Sequence, residues 1–343
     1  MSYYEQVANW ISDNTKGARI GQDSGPGSAP QQSQDPWGTG ARYRPGDAGS
    51  SSTTGQRKLP QRTYLDILEG NAQNAITKIT ETSTQLLDSS KITKDGALTP
   101  QERQALQTLV DQLNNSPRDP HPTSDQISAL MKVATAWPTA SRVPGVAILA
   151  RLAVSPAFLT ATSAGPNTVI DTAASAGLLE PKQVTANNAV HALRLLANLF
   201  ATDGGRTILD GTFDQTLSLA RPFASDPESP AQFKALATLY LNFAVLLTSH
   251  APSASATKAK NARAKTLLTD IAVLLESESP HAQDSEGLFR ALCALGTLFT
   301  LGEDFRMEMK MGASGTLHFV GTKAGAGEGR VKEVVQEIRD ELR

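Results

Sequence analysis

Three stretches of the chain are apolar at nearly every position and repeat one helical phrase. They are His191-Ala-Leu-Arg-Leu-Leu-Ala-Asn198-Leu-Phe200, Phe233-Lys-Ala-Leu-Ala-Thr-Leu-Tyr-Leu-Asn242-Phe-Ala-Val-Leu-Leu247 and Leu288-Phe-Arg290-Ala-Leu-Cys-Ala-Leu-Gly296-Thr-Leu-Phe299. A helix that is apolar all round belongs in an interior, so each phrase predicts the most buried helix of its neighbourhood. Asn198 and Asn242 stand 44 residues apart, within the period of armadillo and HEAT repeats. The remaining pattern is helical as well. Tyr64, Leu65, Leu68, Ala72, Ile76 and Ile79 form a stripe at helical spacing, which predicts a helix in the folded part that opens at Leu59. Thr99-Pro100-Gln-Glu102 reads as a capping box with proline at the first helical position. Further helices are predicted over 125–136 (ended by Trp137-Pro138), 144–154, 187–201, 207–220, 231–248, 261–276, 285–301 and 331–342. Only Thr316-Leu-His-Phe-Val320 alternates in the manner of a strand, and it is short. The pattern predicts an all-α chain built as an α-solenoid.

Composition sharpens this reading. Aromatic residues make up only 5% of the 343 positions, which favours closely packed helices over a sandwich or barrel. With 32 Lys+Arg against 34 Asp+Glu, whole-molecule attraction to nucleic acid or to an anionic membrane is not expected. No basic start leads into an apolar stretch at Met-Ser-Tyr-Tyr-Glu, and no apolar run approaches the roughly 18 residues of a membrane span. The expectation is a soluble chain in a reducing compartment. The single cysteine, Cys293, lies among Leu292, Ala294 and Leu295 and reads as a small core residue.

The front of the chain differs. Tyr3, Val7, Trp10 and Ile11 form the stripe of a short amphipathic helix, too short to bury itself alone. Residues 17–58 are dominated by Gly, Ser, Gln, Pro and Thr, and such a composition predicts a disordered linker. Within it, Asp35-Pro-Trp-Gly-Thr-Gly-Ala-Arg-Tyr-Arg-Pro-Gly46 sets Trp37 and Tyr43 as docking anchors.

Several polar features carry no chemistry on this reading. Five scattered histidines and one cysteine offer no metal spacing and no triad, so neither a cofactor nor a metal is expected. Gly325-Ala-Gly327-Glu-Gly329 lacks the G-x-G-x-x-G spacing and reads as a flexible loop. Lys258, Lys260, Arg263 and Lys265 read as a solvated helix start.

The phrases LPQRTYLDILEGNAQNAITKI at 59–79, AWPTASRVPGVAILARLAV at 136–154, ALRLLANLF at 192–200, LATLYLNFAVLL at 236–247 and LFRALCALGTLF at 288–299 resemble the PUL domain. That domain ends the phospholipase-activating protein family, whose fungal members act in ubiquitin-dependent degradation. YYEQVANWISDNTKG at 3–17 resembles the closing helix of that family's ubiquitin-binding PFU domain, and DPWGTGARYRPG at 35–46 resembles the joining segment. The resemblance implies a PFU remnant over 1–16 and an armadillo-like PUL domain over 59–343. The family's propeller and complete PFU domain are missing in front, so a fragment or truncated product is expected, with little or no ubiquitin binding.

The resemblance further implies a non-enzymatic adaptor in the cytoplasm and nucleus. Its basic concave groove would take the acidic C-terminal tail of the AAA+ unfoldase valosin-containing protein. Asn198 and Asn242 would meet an extended peptide backbone with their side-chain amides, and Gly296 stands where a third Asn is expected. Arg151 and Arg290 are the preferred carboxylate ligands, with Arg194 and His191 beside them. A guanidinium inside an apolar phrase needs either a groove or an internal acidic partner. Two other readings remain open, a receptor for another extended acidic peptide and the tail of a PUL-containing deSUMOylating isopeptidase.

Overall fold

The structure, a computed structural model, describes residues 57–343 apart from 94–95, 163–167, 182–183 and 250–253. All of them fall in one compact unit. The expectations for residues 1–16, for the linker up to Gln56 and for the Trp37/Tyr43 patch lie outside the described residues. No β-strand occurs among the described residues.

The helices run α1 (Ala72–Asp88), α2 (Pro100–Asn115), α3 (Ser124–Met131), α4 (Val143–Leu152), α5 (Pro156–Ala161), α6 (Thr168–Ser175) and α7 (Ala186–Leu199), then α8 (Asp203–Gly211), α9 (Phe213–Ala220), α10 (Pro230–Ser249), α11 (Ala254–Leu275), α12 (Ser285–Leu298), α13 (Glu303–Val320) and α14 (Gly329–Glu341). Six of them form an inner row in which each packs on the next: α1 on α4, α4 on α7, α7 on α10, α10 on α12 and α12 on α14. The three repeated phrases are α7, α10 and α12, the middle of that row. Every residue from Asn188 to Leu199 and from Gln232 to Leu247 is buried. The architecture is therefore the expected α-solenoid.

Helix α10 is long and apolar enough by length and composition to cross a membrane, contrary to the sequence expectation. Its burial has another cause, since most of it is enclosed between α7 and α12. Gln232, Lys234 and Asn242 are buried along it.

Local chemistry explains most boundaries. Thr99 and Glu102 form the expected capping box, with Thr99 Oγ1 accepting from the Glu102 N–H at 3.1 Å and the Glu102 carboxylate accepting from the Thr99 N–H at 2.7 Å. The helix predicted over 125–136 ends instead in a π-helical turn, Lys132–Ala136. The stretch predicted as one helix over 207–220 breaks at Thr212, whose φ of −110° and ψ of 22° are not helical. The alternating run Thr316–Val320 lies in α13, where Phe305, Ala313, Thr316, Leu317 and Val320 share one buried face at helical spacing. The glycine loop read as flexible is packed only at its start: a Cβ on Gly325 would lie 2.1 Å from the Gln283 carbonyl oxygen, whereas Gly327 and Gly329 face open space.

The largest departure concerns residues 59–71, which are not helical; the first helix among the described residues starts at Ala72. Gly70 adopts a φ of 120°, a left-handed conformation that suits glycine. Asn71 then caps α1 by accepting from the Gln73 and Asn74 N–H groups. The apolar residues of the segment do reach the core, since Leu59 and Ile67 are buried. They reach it in extended form, because the inner row offers partners for the backbone.

Candidate functional site

Those partners lie along one face of the inner row, and residues 58–70 form a strap across them. Lys58 and Leu59 donate their N–H groups to the Glu337 carboxylate of α14 at 2.9 and 3.0 Å. Gln61 N–H donates to Thr297 Oγ1 of α12 at 3.0 Å. On α10, Asn242 Oδ1 accepts from the Leu65 N–H at 2.8 Å, and its Nδ2 donates to the Leu65 carbonyl at 2.8 Å. On α7, Asn198 repeats the pairing with Ile67, accepting at 2.6 Å and donating at 3.1 Å. Finally, Arg151 Nη1 of α4 donates to the Gly70 carbonyl at 2.6 Å. The strap thus crosses α14, α12, α10, α7 and α4 in turn, opposite to their order in the chain.

Asn198 and Asn242 were expected to meet the extended backbone of a partner peptide; in this structure the extended backbone that their amide ladder holds is the chain's own. Each Asn also ties neighbouring inner helices together: Asn242 Nδ2 reaches the Ala197 carbonyl at 3.0 Å, and Asn198 Nδ2 reaches the Ala150 carbonyl at 2.7 Å. Gly296 has a steric reason. A Cβ there would lie 2.3 Å from Leu59 Cδ1, so the position admits the strap's side chain while Thr297 supplies the polar rung. Sequence reasoning missed this segment because its apolar spacing also suits a helix. Pro60 and Gly70, placed at either end, were the available signal.

The charged residues divide into struts and surface. Glu69 of the strap is held by Arg194 and by Lys234, each at 2.8 Å, and all three side chains are less than 10% exposed. Lys234 was not among the expected site residues. Arg290 donates through Nε to Glu286 at 2.6 Å and through Nη1 to Thr238 Oγ1 at 2.6 Å. Arg330 holds the other oxygen of Glu286 at 2.7 Å and lies over the Phe289 ring. Arg194 and Arg290 thus serve as internal struts here. His191 is buried and lines the same small recess as Arg151, Glu69 and Gly70.

Arg151 is different. It is partly exposed, its Nε is buried with no hydrogen-bond partner, and burial pulls its guanidinium below the ordinary value. Arg62 of the strap is exposed. Arg118 pairs with Asp66 of the strap while remaining 69% exposed, and Arg206 lies 4.9 Å over the Tyr64 ring, paired also with Asp203. Between Arg62 and Gly70 the strap is lined by Arg62, Arg118, Arg151, Arg194, Arg206 and Lys234. The carboxylates seen paired with these side chains among the described residues are Asp66, Glu69 and Asp203, so six cations meet three carboxylates here on a chain whose overall charge is nearly balanced.

Cys293 is fully buried on α12, and burial raises its thiol well above the usual range, with Glu337 and Glu286 adding to the shift. Among the described residues no group of three His, Cys, Asp or Glu side chains is disposed to hold a metal.

An all-α solenoid whose inner row is strapped by a segment of its own chain has the architecture of an interaction module rather than a catalytic fold. Compared with known protein families, the sequence matches the PUL domain over residues 59–337. The chain belongs to the PUL domain family, an all-helical class of protein–protein interaction domain.

Proposed function

We propose that the chain is an adaptor of the phospholipase-activating protein type in ubiquitin-dependent degradation, working without catalysis in the cytoplasm and nucleus. Its strapped face receives the acidic C-terminal tail of valosin-containing protein. The observation that carries this reading is the excess of positive charge along the strap on a chain whose overall charge is nearly balanced. Long, partly desolvated guanidinium groups favour carboxylates through charge-assisted hydrogen bonds. Arg151 is the best placed of them, because it is partly exposed and its Nη1 is bonded to the neutral Gly70 carbonyl rather than to a carboxylate. Arg62 and Arg118 extend the basic face outward. Arg290 and Arg194 act indirectly, by keeping the inner row and Glu69 in place. Ubiquitin is bound only weakly or not at all through this chain.

The test is a calorimetric titration of the full chain with a synthetic peptide of that tail. Arg62→Glu removes an exposed cation and should weaken binding roughly threefold, whereas Arg151→Glu should weaken it about tenfold or more. Wild-type affinity in both variants, with both still folded, would overturn the reading.

A further inference from the structure

The strap is bonded on one edge only. Leu65 and Ile67 turn both backbone groups to the amide ladder, and two such residues in alternation define an extended strand. In an extended strand the intervening residues present their N–H and C=O groups on the opposite edge. Those residues are Tyr64, Asp66 and Leu68. Among the described residues, none of their backbone groups has a hydrogen-bond partner. All three residues are only partly buried. A row of unpaired donors and acceptors on an extended segment is a template for another strand.

We propose that this free edge receives the partner by strand addition, with an extended acidic peptide pairing its backbone to Tyr64, Asp66 and Leu68. The proposal rests on the reading above and specifies how the tail is held. The occupant follows from charge. Arg62 is exposed, and Arg118 and Arg206 flank Asp66 and Tyr64 while keeping part of their surface in solvent. An extended peptide with carboxylates at alternate positions would set them against these guanidinium groups while its backbone completes the edge. The amide ladder is then not the partner's site. Its work is to hold the strap rigid, so that the outer edge is already ordered when the peptide arrives and less conformational entropy is lost on binding.

Two measurements on the full chain test this with the same synthetic tail peptide. The first is amide hydrogen exchange by nuclear magnetic resonance. In the free protein the Leu65 and Ile67 amides should be protected and the Asp66 and Leu68 amides should exchange fast. At saturating peptide, Asp66 and Leu68 should slow by about tenfold or more, while Leu65 and Ile67 stay protected. The second compares Asp66→Pro with Asp66→Ala. Both lose the carboxylate, but only proline loses the outward N–H, so it should bind the peptide roughly three- to tenfold more weakly. Should the proline variant not fold, the exchange measurement on the wild type decides alone. Peptide binding that leaves Asp66 and Leu68 at their free rates would overturn strand addition and leave the adaptor reading standing. Loss of protection at Leu65 and Ile67 would instead show the peptide displacing the strap, which also overturns it. No binding of the tail peptide at all would remove both readings.

Discussion

Replacing Asn198 with alanine tests how the strap is held. The Asn198 side chain is fully buried and makes three hydrogen bonds, accepting from the Ile67 N–H at 2.6 Å and donating to the Ile67 carbonyl at 3.1 Å and the Ala150 carbonyl at 2.7 Å. Each such bond contributes about 1 kcal/mol net. Removing the amide also leaves the Ile67 N–H and two carbonyls facing an apolar void. An orphaned buried polar group costs on the order of 1–3 kcal/mol, although Ile67 can recover some of this by letting the strap lift toward water. Counting the three orphaned groups in place of the three bonds, at about 1–1.5 kcal/mol each after this relief, Asn198→Ala costs roughly 3–5 kcal/mol. Urea unfolding of the full chain, followed by helical circular dichroism, measures it, and amide exchange at Ile67 shows whether the loss is local. Asn114→Ala, at an exposed site near the end of α2, serves as the control and should change stability by less than about 0.5 kcal/mol. A loss below about 1 kcal/mol for Asn198→Ala, with unchanged exchange at Ile67, would show that the amide ladder does not hold the strap.

Glu69→Ala removes the carboxylate that Arg194 and Lys234 share in a buried site and should destabilise the fold by about 3–5 kcal/mol, as read from the urea midpoint. Arg290→Glu would set a second carboxylate against Glu286; it should lower the melting temperature far more than Arg151→Glu, and equal shifts would contradict the assignment of Arg290 as a strut. Cys293 should resist a water-soluble thiol reagent in the native protein and react only as the chain unfolds, so rapid native labelling would contradict its place in the α12 core.

Much of the fold was legible in the sequence because its inner helices are apolar on every side. Such phrases leave no alternative to burial, and α7, α10 and α12 lie within a residue or two of their predicted bounds except where a terminal turn tightens. The capping box at Thr99 was legible for a similar reason, since its signal is local. What escaped was decided by contacts distant in the chain. The 59–71 segment has an apolar spacing compatible with a helix, and the extended form is selected by residues distant in the chain, Asn198, Asn242 and Thr297 with Glu337 and Arg151 at the two ends. The two asparagines were expected to meet a partner's backbone; that they hold Leu65 and Ile67 of their own chain could not be read from a local pattern. Arg290 and Arg194 pose the same limit. Their positions inside apolar helices required a partner, and the identity of that partner as Glu286 or Glu69 is a tertiary fact.

The most direct test of the adaptor reading is calorimetric titration of the full chain with the acidic tail peptide at low and at physiological salt. The account predicts saturable binding of one peptide per chain that weakens as salt rises, because the attraction comes from partly exposed guanidinium groups within reach of solvent ions. Absence of binding at low salt, or an affinity indifferent to salt and to Arg151→Glu, would contradict it.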